Sequence, residues 1–166
     1  MTNVEERAGL LAECLEEIND ALVEMTAVFR VKREVLARAD MNALDELLAR
    51  EQEVAETLFN AETRREVLAA EIASAVGAPS ERLADLLEAL PQGPAEVLSR
   101  TGTNLRDTMG LLVREARIVS DICRAATEHY DKLIRIITGA ELGPVTYSPD
   151  GKGKTGRHRS IIDQAL

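Results

Sequence analysis

A chain of 166 residues has the size of one domain, and 45% hydrophobic with 30% charged residues gives it the means to bury a core. Aromatics make up 2%, only Phe29, Phe59, Tyr130 and Tyr147, with no tryptophan, so the apolar content is aliphatic; this suits helix seams and argues against a β-sandwich or barrel. A net charge of -9 repels phosphate backbones and argues against nucleic acid as principal partner.

The leading MTNVEERAGL lacks the basic-then-apolar order of a signal peptide, and no run of 18 apolar residues occurs, which predicts a cytoplasmic protein without membrane insertion. The first helix is expected over about 4–39. Leu11, Leu15, Ile18, Leu22, Met25, Phe29, Lys32 and Leu36 alternate at spacings of four and three, a heptad seam, and Cys14, Ala21, Val28 and Val35 repeat beside it every seventh position. So wide a stripe predicts packing against two neighbours. Asp40 can cap a new helix, or the chain can run straight through it; the sequence leaves both open.

A second helix is expected over 42–75, on the row Leu44, Leu47, Glu51, Val54, Leu58, Ala61, Arg65, Leu68 and Ile72, with Glu46 and Arg50 placed to pair. Glu51 and Arg65 interrupt its seam; such residues more often mark an exposed turn or a specificity device than a buried ion pair. Gly77-Ala78-Pro79-Ser80 ends the helix, and a short one follows over 80–90 with Leu83, Leu86, Leu87 and Leu90 on one face. After Pro91-Gln92-Gly93-Pro94 comes the cleanest signal in the chain, a helix over 95–138. Its seam is Leu105, Met109, Leu112, Ala116, Val119, Cys123, Ala126, Tyr130, Leu133 and Ile137, with Glu128–Lys132 and Asp131–Arg135 on the outer face.

Residues 140–166 change character, with five glycines and prolines between Gly143 and Gly153 and a further Gly156 among small polar residues, and read as an extended or disordered tail. The tail holds four Lys/Arg against three Asp/Glu, leaving the helical part 16 against 26. Its basic stretch, Lys152 to Arg159, lacks aromatics for stacking bases, so attraction to an acidic surface is the better reading. The fold expected is therefore all-α: an elongated antiparallel bundle or coiled coil of two to three long helices plus a short one, over 1–139, with a flexible C-terminal tail.

Catalytic chemistry lacks its parts. The histidines are His129, inside the last helix, and His158, in the tail, so no nucleophile–base pair can be built from spacing. A di-iron bundle needs a Glu three residues ahead of a His on two helices, whereas Glu128 adjoins His129. Asp150-Gly151-Lys152-Gly153-Lys154 starts like a calcium loop but puts lysines where oxygen ligands belong. Neither an enzyme, a cofactor nor a metal is expected, and Cys14 and Cys123, at apolar helix positions, are expected to be buried reduced thiols.

The phrase Ala39-Asp40-Met41-Asn42-Ala43-Leu44-Asp45-Glu46-Leu47-Leu48-Ala49-Arg50-Glu51 early in the chain, a long final amphipathic helix, and then Thr146-Tyr147-Ser148-Pro149-Asp150-Gly151 together resemble the FlgN family of flagellar export chaperones over about residues 4–152. The family carries an Arg-Asp-Leu-Glu-Ala-Leu-Glu-Ala-Leu-Leu type of segment early and a Thr-Tyr-Gly-Pro-Asp-Gly-like turn after the last helix; Ser148 here stands in place of its usual glycine. The resemblance implies a cytoplasmic chaperone that holds the C-terminal helical region of hook-associated (hook-filament junction) proteins and docks on the cytosolic domain of the export gate. On that reading, Leu112, Val119, Ile122, Ala126, Leu133 and Ile136 of the last helix are candidates to carry the client, and Tyr147, Pro149, Asp150 and Gly151 to dock on the gate. The rival is a structural or regulatory coiled-coil protein with no export role. Phe29 and Tyr130 fall on seams and Phe59 adjoins one, which leaves Tyr147 as the aromatic whose place asks for a partner.

Overall fold

A computed structural model describes residues 2–138 of the chain. They form four helices, α1 (Thr2–Arg38), α2 (Met41–Val76), α3 (Leu83–Ala89) and α4 (Gln92–Thr138), with no strand among the described residues. The chain parts into two units, Met1–Ser120 and Asp121–Leu166; the first contains α1, α2, α3 and the N-terminal part of α4, and the described part of the second is the rest of α4.

In the first unit α1 and α2 run antiparallel, since their cross-helix pairs ascend on one and descend on the other: Arg7–Glu71, Glu17–Arg64 and Glu24–Arg50. The heptad row of α1 faces inward as its spacing requires: Leu11, Leu15, Ile18, Leu22 and Met25 are buried, as are Cys14, Ala21 and Val28 of the second row. Across from them α2 presents small residues, Ala61 and Ala69, which lets the backbones approach until the Cys14 thiol donates to the Ala61 carbonyl at 3.1 Å. Ile72, Leu86, Leu90 and Leu98 complete the core, so all four helices contribute to it. Burying one Leu, Ile, Val or Met side chain contributes about 1.5–3 kcal/mol, and twelve such side chains are buried among the described residues, so an aliphatic core holds without aromatic anchors.

The first helix ends at Arg38 and a new one starts after Asp40, which settles what the sequence leaves open. Ala39 takes a left-handed φ of 54°, its N–H bonds back to the Leu36 carbonyl and that of Asp40 to Val35, the six-to-one and five-to-two pattern that closes a helix. Asp40 then caps α2, its Oδ1 accepting from the Ala43 N–H at 3.1 Å. Gly77 repeats the device at the end of α2, with φ 71° and its N–H on the Ala73 carbonyl. Ser80 accepts from the Arg82 N–H and bonds Asp85 ahead of α3. The helix α4 starts at Gln92, earlier than the expected 95, because Pro94 sits in the first turn, where a missing N–H costs nothing, and the Ala95 N–H bonds the Pro91 carbonyl.

Several expectations are corrected. Glu51 and Lys32, each a polar interruption of a seam, meet in a part-buried ion pair instead of facing water. Arg50 pairs with Glu24 and Glu53 rather than Glu46, because α1 brings a carboxylate within its reach. The inward row of α4 in the first unit runs through Leu105, Thr108, Leu112, Glu115 and Val119, leaving Met109 exposed. The polar pair on that row bonds α1: Thr108 donates to Asn19 Oδ1 at 2.7 Å, and Glu115 accepts from Arg30 Nε and Arg33 Nη1, each at 3.2 Å. Cys123 is exposed, not buried, and so are Phe59 and Tyr130, although each lies on or beside an apolar row.

Candidate functional site

The described part of the second unit, residues 121–138, is a helix with two unlike faces. At about 100° per residue, Asp121, Arg124, Glu128, Asp131, Lys132 and Arg135 fall within roughly 100° of arc. Opposite them Ile122, Ala126, His129, Tyr130, Leu133 and Ile136 share an arc of about 120°. In a folded core such an arc is covered. Here Tyr130 is 61% exposed, Ile136 49% and Leu133 39%, while Ile122 alone is half-buried. The ring of His129 meets that of Tyr130 edge to face at 6.3 Å between centroids, placing two flat surfaces halfway along this stretch of helix. The charged side is self-contained, with Arg124 donating to Asp121 at 2.6 Å; its six charges cancel, in contrast to the acidic surplus of the whole chain.

The six candidate client positions therefore divide. Ile122, Ala126, Leu133 and Ile136 come together on this arc. Leu112 and Val119 lie in the first unit, where Leu112 packs against the core and Val119 is 4% exposed. Tyr130 belongs to the arc although its heptad position suggests a seam residue; its exposure could not be read from spacing. Tyr147, Pro149, Asp150 and Gly151, with the whole tail 140–166, lie outside the described residues.

Among the described residues no cluster of His, Cys, Asp or Glu could hold a metal ion, and no buried side-chain N or O lacks a hydrogen-bond partner. Burial pushes the Cys14 thiol above its ordinary pKa, against the opposing pull of Arg64 and Arg65 and with a smaller push from Glu17 and Glu62. No helix among the described residues is long and apolar enough to cross a membrane. What the arc can do is bind another apolar surface.

The model of the FlgN protein family matches residues 8–155, a span that includes the exposed arc and Tyr147. The chain belongs to the FlgN family. No curated protein and no solved structure gives a match to set beside it. Membership makes this a flagellar chaperone built as a helical bundle, and the match ends before residues 156–166.

Proposed function

We propose that this FlgN-family chain is a cytoplasmic export chaperone that holds the C-terminal helical region of hook-associated proteins on the Ile122, Ala126, Tyr130, Leu133 and Ile136 arc of α4, and delivers them to the cytosolic domain of the type III export gate. The observation that carries the reading is the exposure of that arc. An amphipathic helix whose apolar face the other described residues leave exposed is the receiving half of a helix-in-groove contact, in which a client helix supplies the missing apolar surface. Leu112 and Val119, which the sequence reading grouped with the arc, are left out because packing in the first unit already occupies them. The arc is aliphatic with one tyrosine, so it can repack around different clients, and it lacks the tryptophan or arginine anchors that make complexes hard to dissolve; a cargo that must be released at the gate needs such a grip.

The test is the affinity of the full chain for a C-terminal helical peptide of a hook-associated protein. Leu133→Asp and Ile136→Asp should each weaken binding at least tenfold while the melting temperature stays unchanged, because neither side chain is in the core. Undiminished binding by both variants overturns the arc as the client site. Delivery is tested separately: Tyr147→Ala should lose binding to the export-gate domain and impair motility while keeping client affinity. If gate binding and motility survive, Tyr147 is not the docking residue.

A further inference from the structure

The two phenylalanines of the chain stand in related settings, one complete and one not. Phe29 on α1 has the ammonium of Lys32 5.4 Å from its ring centroid, and the same ammonium is paired with the Glu51 carboxylate. Ring, cation and carboxylate together form a cation–π contact closed by an ion pair. Phe59 on the outer side of α2 has the ring and the carboxylate only. It is 73% exposed, the most exposed large hydrophobic side chain among the described residues. With Gln52, Ala55, Glu56 and Asn60 it lines a shallow hollow on the helix surface. Gln52 Nε2 donates to Glu56 Oε1 at 3.1 Å, which steadies the carboxylate, turns its second oxygen free, and leaves the Gln52 carbonyl oxygen as an acceptor.

The cation that would complete the set is not on this helix. The cations of α2 are Arg50, Arg64 and Arg65, and each is taken: Arg50 by Glu24 and Glu53, Arg64 by Glu17, Arg65 by Glu62. Against these three the helix carries eight carboxylates, so its outer face attracts cations and repels anionic polymers.

We propose that the hollow formed by Gln52, Ala55, Glu56, Phe59 and Asn60 receives an arginine side chain presented by a second protein. Arginine fits the chemistry better than lysine. Its flat guanidinium stacks on the exposed ring while its N–H fork reaches the free Glu56 oxygen and the amide oxygens of Gln52 and Asn60; an ammonium satisfies the charge but offers no plane to stack. The site lies on α2, in a different unit from the α4 arc, so it neither requires nor excludes the client reading.

The experiment is a titration of the full chain, labelled for amide NMR, with N-acetyl-arginine amide, N-acetyl-lysine amide and the neutral N-acetyl-citrulline amide at constant ionic strength. Arginine should move the amide signals of residues 52–60 in a saturable way, at least threefold more than lysine, with no response to citrulline. Phe59→Ala and Glu56→Gln should each abolish most of that response, and Phe59→Tyr should keep it. Both positions are exposed, so unchanged melting temperatures are expected and separate lost binding from lost folding. Equal responses to arginine and lysine, responses spread evenly over carboxylates elsewhere, or a response that survives Phe59→Ala each overturn the site.

Discussion

Ala39 holds a left-handed backbone that costs an L-residue about 1 kcal/mol, and it does so because two closing hydrogen bonds and the Asp40 cap fix the corner between α1 and α2. Ala39→Gly should therefore raise stability by about 0.5–1 kcal/mol, the relief of strain exceeding the entropy that glycine adds to the unfolded chain. Gly77→Ala, at φ 71°, should lower it by about 1 kcal/mol for the same reason. Denaturant midpoints at constant slope measure both. The cysteines differ as sharply. Cys123 should react with a thiol reagent at the rate of a free exposed cysteine, while Cys14, buried and bonded to the Ala61 carbonyl, should wait for the bundle to open. Because burial raises the Cys14 pKa in the folded state above its unfolded value, the folded chain keeps its proton longer. That contribution is fully present below the unfolded thiol pKa and is lost as pH climbs through the folded one. Stability should thus fall in the alkaline range more steeply in the wild-type chain than in Cys14→Ala, as urea titrations at successive pH values would record.

At the scale of elements, the register of α1 against α2 is written by both apolar and ionic residues. The Lys32–Glu51 pair occupies one seam position on each helix and is more shielded than the pairs at the helix edges, with side-chain exposures of 13% and 25%. A double-mutant cycle with Lys32→Ala and Glu51→Ala should give a coupling of about 1 kcal/mol that shrinks in high salt. Replacing both by leucine continues the two seams and should leave the protein at least as stable, since the pair has to be partly desolvated to form. What the charges then supply is register: each seam is interrupted once at this level, and sliding one helix by a turn would set Lys32 or Glu51 against an apolar row. Spacing alone revealed both interruptions but not that they face each other, because pairing depends on where the Ala39–Asp40 corner places α2. Thr108 and Glu115 were hidden for a related reason. Their polar side chains disqualify them from an apolar row, yet Asn19, Arg30 and Arg33 of α1 satisfy them once the helices lie side by side.

For the molecule as a whole, the residues of α4 fall into two populations that sequence periodicity treats alike. Leu98 is fully buried and Leu133 is 39% exposed, though both are leucines of one amphipathic helix. Leu98→Ala should cost about 2–4 kcal/mol of stability, by lost transfer and the cavity left behind, whereas Leu133→Ala should stay within about 0.5 kcal/mol. Thermal or urea denaturation measures the pair, and client affinity should respond in the opposite order. The sequence by itself determined that the chain is all-α, where the long helices lie, which residues form the inner rows of α1 and α2, and the FlgN family, because helix periodicity, caps and a short turn motif are local properties carried by neighbouring residues. The tertiary structure decided which apolar surface is used up and which is left over. An apolar arc reads the same whether another helix covers it or not; covering depends on residues far away in sequence, so only the packed bundle distinguishes Val119 in the core from Ile136 facing outward, and shows Phe59 and Tyr130 exposed where spacing had placed them on or beside a seam.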